Sequence, residues 1–260
     1  MQRMQLFEFT DIPWLPPSLR SLVTDFLHTL IELNHPFLSK ITIMAQAVLA
    51  TDRCRVIDLC SGSSGPWLHL TEQLRSEIGQ PIEVLLTDKF PDQMTSKKVI
   101  STEDLACHPD PVDVLAMHEE LKGARSLFNA LHHFEPEIAQ IIIADVVKNN
   151  QAIIMFELLQ RTWYAVLLAL TTPFAVMLLT PLIRPFSFRR LFFTYVIPIA
   201  PIMITWDGLV SELRCYTTDE LQAMSQCPGS EHYQWHIGAY KHRAMPVTYM
   251  VAYPKQTTCH

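Results

Sequence analysis

The chain of 260 residues is long enough for one well-packed α/β domain with an elaboration, or for two small domains. Hydrophobic residues make up 49% of it and charged residues 18%, a globular balance on the apolar side. A formal net charge of −6 supplies no broad basic field, which argues against a general binder of nucleic-acid backbones.

Taken from the N-terminus, Met1 to Asp11 lacks the basic start, apolar stretch and cleavage site of a signal peptide. Cys54, Cys60, Cys107, Cys215, Cys227 and Cys259 form no CxxC pair and share no zinc-like spacing with histidine. The expectation is a reducing, cytoplasmic compartment, thiols packed as small core residues, and no metal site.

Leu22, Phe26, Leu30 and Leu33 fall near helical spacing in Leu19–Leu33, and Ile41–Leu49 is a second amphipathic run. Arg55–Leu59 is a short β-branched strand containing an acid. Pro66 then opens a helix to about Ile78, where proline suits the first turn. Ile82–Asp88 reads as the next strand, Ser126–Asn129 as a third, Glu135–Lys148 as a helix and Gln151–Glu157 as a fourth strand. Tyr233–Tyr240 and Val247–Tyr253 read as a closing antiparallel pair. Alternating strands and helices imply a mainly parallel sheet covered on both faces.

One block breaks this rhythm. Trp163–Ile183 carries no charge, and after Arg184, Arg189 and Arg190 a second uncharged run extends from Leu191 to Trp206. Prolines 173, 181, 198 and 201 interrupt both runs.

The chemistry starts at Val56-Ile-Asp-Leu-Cys-Ser-Gly-Ser-Ser-Gly-Pro-Trp67. A strand enters a turn of small residues and a helix follows at once, so a ligand can approach the backbone and meet free N–H groups at the helix start. Gly62 and Gly65 alone do not make the dinucleotide pattern, and a plain strand-to-helix turn looks the same. Asp88 closes the next strand about 25 residues on, where an acid can accept hydrogen bonds from a ribose diol. An isolated acid there is as readily a turn former. The two features together point to a nucleotide-type ligand.

Asp58 to Gly65 resembles the first motif of class I S-adenosylmethionine-dependent methyltransferases, and Thr87 to Phe90 resembles their second. Pro111-Val-Asp113-Val114 looks like the acid preceding their adenine pocket, and Leu127 to Phe134 is similar to their fourth-strand motif. The resemblance covers roughly residues 53 to 157 and, more weakly, the closing strands. It also extends to a bacterial subgroup with an apolar insertion. It implies S-adenosyl-L-methionine as cofactor, with the methionine moiety against Asp58, Ser61 and Gly62. The ribose is implied on Asp88, the adenine near Lys89, Phe90, Asp113 and Val114, and the donor's outer side near Asn129. Cys60, Gly65, Pro66 and Trp67 complete the implied cofactor set. Cys60 and Ser64 stand where many relatives have glycine.

Methyl transfer is an in-line displacement that needs alignment, and a base only when the acceptor carries a proton. His132, His133 and Glu157 are the acid/base candidates, although a packed histidine and helix caps would account for them equally. Trp206 at the end of the apolar block, and Asp207, Glu212, Arg214 and Tyr216 after it, are the candidates on the substrate side. The block itself reads as a membrane-surface element, as a lid or homodimer contact, or as a spanning hairpin. The last would set its arginines against the positive-inside tendency. Every reading places an apolar wall beside the donor.

The expected architecture is thus an α/β, Rossmann-like three-layer sandwich with a mainly parallel seven-stranded-type sheet and an antiparallel C-terminal edge. Residues 1–52 form a helical cap, 53–157 the cofactor-binding core, 158–206 the apolar helical insertion and 207–260 the closing strands. The expected activity is methylation of a lipid-like or aromatic small molecule, at the inner face of the membrane. A non-catalytic membrane-associated module and a nicotinamide-dependent reductase are the rivals.

Overall fold

The computed structural model describes residues 1–51, 54–62, 65–89, 104–117 and 120–255. Its strands are β1 (Arg55–Leu59), β2 (Glu83–Leu86), β3 (Leu105–Cys107), β4 (Ala124–Phe128), β5 (Ile153–Glu157), β6 (Tyr233–His242) and β7 (Met245–Pro254). Its α-helices are α1 (Pro17–Asn34), α2 (Ile41–Leu49), α3 (Trp67–Ile78), α4 (Pro136–Lys148), α5 (Trp163–Ala169), α6 (Thr172–Leu179), α7 (Phe188–Leu191), α8 (Ile199–Arg214) and α9 (Thr218–Met224). The strands form one sheet in the order β3-β2-β1-β4-β5-β7-β6. The first five run parallel, and β7 lies antiparallel between β5 and β6. This is the expected sheet with its antiparallel edge.

Successive strand residues point to opposite faces, so an unbroken apolar strand must be covered twice. In β5, Ile154 and Phe156 enter one core while Ile153 and Met155 enter the other. The first core is closed by Met44 and Val48 of α2 and by Trp67, Leu70 and Leu74 of α3. The second is closed by Ile143 and Val146 of α4 and Leu221 of α9. Local chemistry sets the helix ends. Pro17 and Pro136 occupy first turns, Gly79 ends α3 at φ 78°, and Thr217 with Glu220 forms a capping box before α9.

The apolar block is a chain of short helices rather than a hairpin of long ones, because its prolines remove backbone donors. Pro173 opens α6 and Pro181 opens a 3₁₀ turn. A π-turn, Phe192–Val196, precedes Pro198 and α8. Among the described residues no single helix is long and apolar enough to cross a membrane. The α5–α6 stretch bends by 43° and the Phe188–Val196 stretch meets α8 at 79°. Its inner side packs on α1 through a third core of Leu22, Phe26, Val176, Ile183, Ala200 and Ile204. Buried Arg190 adds a tie, its Nη2 lying 2.5 Å from Asp25 Oδ2 on α1.

Two elements go beyond the sequence expectations. β3 is a three-residue edge strand with Ala106 exposed, too short for a two-residue period to register. Helix α9 is seven residues long, and its one strong signal is the capping box. Helix α8 runs through position 206 to Arg214, carrying the end of the apolar run directly into the polar segment.

The entry to β4 depends on Gly123. A Cβ there would stand 2.6 Å from the Arg55 carbonyl oxygen of β1, a backbone atom that cannot turn aside. Gly123→Ala is expected to destabilise the fold by about 2 kcal/mol or more. Urea unfolding followed by circular dichroism measures this as a lowered midpoint.

Candidate active site

In an open parallel sheet, ligands bind beyond the carboxyl ends of the strands where the connection order reverses. Here that point lies between β1 and β4. Asp58 and Ser126 face each other across it, and the Ser126 hydroxyl donates to Asp58 Oδ1 at 2.6 Å. Asp58 is buried, and its main-chain carbonyl accepts from the Ser61 hydroxyl (2.9 Å) and from the Thr87 N–H (2.8 Å). The loop beyond turns on left-handed residues: Cys60 at φ 57°, and Gly62 and Gly65 at φ 52°. From the end of β2, Asp88 Oδ2 accepts from the Gly62 N–H at 2.9 Å. Lys89 pairs with Asp113 at 3.0 Å.

At the ends of β4 and β5 the chain places a second group. Asn129, at φ 52°, accepts from the Leu158 N–H through Oδ1 at 2.7 Å. Glu157 ends β5, buried, and accepts from the Leu131 N–H at 2.8 Å, which fixes its carboxylate. His132 Nδ1 lies 2.7 Å from Glu157 Oε2. A carboxylate accepts, so Nδ1 is the donor of this bond. Nε2 lies 3.7 Å from Glu8 Oε1, on the N-terminal segment. His133 takes another partner, Asp11 Oδ1, at 2.8 Å. Arg214 is buried against Glu8 (3.1 Å) and Asp11 (2.7 Å).

A cavity of about 630 Å³ runs from the β1 loop to this cluster and on between α1 and the apolar block. Of the residues expected to hold cofactor, Cys60, Ser61, Gly62, Gly65, Asp88, Lys89 and Asn129 line it. Asp58 and Trp67 lie beneath the loop, fully buried, while Pro66, Asp113 and Val114 stand off the lining. Phe90 lies outside the described residues. His132 and His133 line the cavity, and Glu157 stands one layer behind them.

Of the substrate-side candidates, Asp207 and Glu212 line the cavity, and Asp207 accepts from the Phe9 N–H at 2.7 Å. The other three serve as braces. The Trp206 indole donates to the Phe7 carbonyl (3.0 Å), the Tyr216 hydroxyl to the Phe134 carbonyl (2.6 Å), and Arg214 is consumed by Glu8 and Asp11. Glu8, Thr10, Asp11 and Ser211 also line the cavity, and no sequence spacing marked them. The far end is apolar, with Val23, Phe26 and Leu27 of α1 facing Leu168, Ala175 and Ile204.

No family model matches the sequence, and comparison with curated proteins finds no match. Solved structures do resemble it. The plantazolicin methyltransferase BpumL in complex with SAH shares 9% identity at a TM-score of 0.56, with 95% of this chain and 94% of that one covered. The S-adenosylmethionine-dependent methyltransferase SibL, in its apo form, gives 11% and 0.54, covering 95% and 61%. Human N-acetylserotonin methyltransferase in complex with SAM gives 12% and 0.50, covering 92% and 56%. The chain therefore has the Rossmann-like fold of class I S-adenosylmethionine-dependent methyltransferases.

Burial dominates the electrostatics of the site. It raises Asp58 to about 6 against its hydrogen bond from Ser126. Burial, with Asp88 and Asp58 adding to it, pushes the Cys60 thiol up to about 12, so this cysteine is an uncharged wall residue. For His133 burial disfavours the imidazolium, but the Asp11 hydrogen bond and the charges of Glu8, Asp11 and Glu157 outweigh it and raise the group. Asp207 rises to about 6 through burial. Glu212 rises to about 8, because burial and nearby Glu157 outweigh its bond from the Gln160 N–H. An acid whose folded value exceeds its unfolded value of 4.5 binds more protons when folded, so stability falls as pH rises between 4.5 and about 8. Glu212→Gln keeps an acceptor for Gln160 and removes the charge. Thermal melts are expected to show the variant more stable than wild type at alkaline pH, with the difference vanishing in mild acid.

Proposed function

We propose that the protein transfers a methyl group from S-adenosyl-L-methionine to a hydrophobic small molecule with a proton-bearing acceptor atom. The observation that carries this reading is one cavity joining the β1 loop, the His132–Glu157 pair and an apolar wall. Its donor end fits the cofactor. The loop residues are small, Gly62 and Gly65 hold left-handed backbone that brings the main chain close to a ligand, and Asp88 offers a carboxylate for a diol. Cys60, Ser61, Gly62, Gly65, Asp88, Lys89 and Asn129 would hold it, with Asp58 bracing the loop from below. When bound, it supplies an electrophilic methyl group on a sulfonium.

The chain's own part is alignment and proton handling. The apolar walls from α1, α5, α6 and α8 exclude water and orient the acceptor's body. His132 Nε2 accepts the acceptor's proton as the methyl bond forms. Glu157 holds the ring through Nδ1 and stabilises the resulting imidazolium. His133 is tied to Asp11 and serves the site electrostatically rather than as the base. BpumL was solved with SAH and human N-acetylserotonin methyltransferase with SAM, which supports this choice of cofactor.

Calorimetry with SAH tests the reading: binding is expected, and Asp88→Ala should weaken it about tenfold or more by removing a charged hydrogen-bond acceptor. With methylation of phenolic probes as assay, His132→Ala should lower kcat by about 10²–10⁴ while SAH affinity holds. Absence of SAH binding at high micromolar concentration, unchanged by Asp88→Ala, would overturn it.

A further inference from the structure

The apolar block has two sides. Its inner side packs on α1 and lines the cavity, through Leu168, Ala169, Thr172 and Ala175 among others. Its outer side is open: Trp163 is 72% exposed, Phe174 and Leu178 75% each, and Phe188 80%, with Leu167, Leu170 and Val196 also exposed. Single exposed apolar residues need no account, but these belong to adjoining elements: α5, α6 and the π-turn pack on α8, and α7 packs on that π-turn. The charge pattern is equally one-sided. Between Glu157 and Asp207 the sequence holds four arginines and no acid, in a chain of net charge −6. Arg161 and Arg190 are buried against Glu220 and Asp25, whereas Arg184 and Arg189 are exposed beside Phe186 and Phe188.

We propose that this face docks on an anionic phospholipid surface, and that the methyl acceptor reaches the cavity from that surface. The acceptor half rests on the methyltransferase reading; the docking half does not. Aromatic rings with arginines and no carboxylates are the composition of an interfacial element, with rings at headgroup depth and guanidinium groups on lipid phosphates. A second copy of the chain suits the face less well. A two-fold contact would bring Arg184 and Arg189 of both copies into one apolar interface with no acid from the block to receive them. Spanning is opposed by the bends of 43° and 79° and by the Arg190–Asp25 tie, which hold the block along the domain. The layer is one helix thick. Leu168 and Ala175 face the cavity while Leu167, Phe174 and Leu178, on the same two helices, face outward. A lipid-soluble acceptor therefore has an apolar route toward His132 through or beside α5 and α6.

Flotation of the full chain with vesicles tests this, comparing phosphatidylglycerol–phosphatidylcholine mixtures with phosphatidylcholine alone. Wild type is expected to float with the anionic vesicles. Arg184→Gln with Arg189→Gln should weaken that binding roughly tenfold, since each arginine near such a surface contributes measurably. Phe174→Asp with Leu178→Asp should abolish it. SAH calorimetry on each variant is expected to stay at the wild-type value, which separates lost docking from lost folding. Wild type that stays unbound, or outer-face variants that float like wild type, overturns the docking. So does a dimer in sedimentation velocity that Phe174→Asp with Leu178→Asp dissociates. Vesicle binding without any SAH binding supports the docking and overturns the acceptor half.

Discussion

Where the sheet reverses its connection order, the Ser126 hydroxyl donates to the buried carboxylate of Asp58 at 2.6 Å, and much of the site hangs from that residue. An isolated carboxylate in an apolar core is costly, so its position is tolerable only where donors converge. Through its main-chain carbonyl Asp58 also takes up Ser61 of the loop and Thr87 at the end of β2. One residue thus joins β1, β4, the loop and the segment leading to Asp88. The distance between the loop and Asp88 follows, because the Gly62 N–H can meet the Asp88 carboxylate only if both segments are fixed. Asp58 shapes the loop end of the cavity from beneath without lining it.

A second constraint is charge balance at the other end. Glu8 and Glu157 are buried within reach of His132, and Asp11 stands beside His133. Arg214 answers Glu8 and Asp11 together. Loss of one partner from such a buried set leaves an uncompensated charge, of order 3–5 kcal/mol. The N-terminal segment is consequently part of the site and not a trailing end. Arg3 donates to the carbonyls of Phe134 (2.8 Å), His132 (3.2 Å) and Arg214 (2.7 Å), lacing the histidine turn to the end of α8. The same turn carries His132, so that side chain is positioned by groups from β5, the N-terminal segment and α8 at once.

How much of this was legible depends on range. Strands that are short unbroken apolar runs with an acid at or near the end announce themselves, because both the run and the offset from Gly62 to Asp88 are local in sequence. Six of the seven strands were read from such local runs, and the seven-stranded type came from the family resemblance. The His132–Glu157 pair was nameable as two candidates but not as a pair, since adjacency of β4 and β5 is a property of the sheet. Glu8 and Asp11 were invisible: they come from a segment without periodicity and reach partners some 200 positions away only through the fold. Trp206 and Tyr216 show the converse. Their polar atoms bond to main-chain carbonyls, and a sequence does not say whether a hydroxyl or indole faces a ligand or its own backbone.

The apolar block is where local pattern and fold disagree most, and the disagreement is informative. Its sequence is apolar on every side, which in a soluble domain implies burial on every side. The structure buries one side. Prolines cut it into helices too short to form a bundle of their own, so each can lay only one side against α1 and α8. The inner sides supply the apolar end of the cavity, and the outer sides remain as a basic, aromatic surface. An apolar acceptor pocket alone would need only the inner residues. Carrying Trp163, Phe174, Leu178 and Phe188 outward raises the risk of aggregation for no gain in packing. A surface that receives them resolves that conflict, and it places the site's apolar wall one helix away from the phase in which a hydrophobic acceptor dissolves.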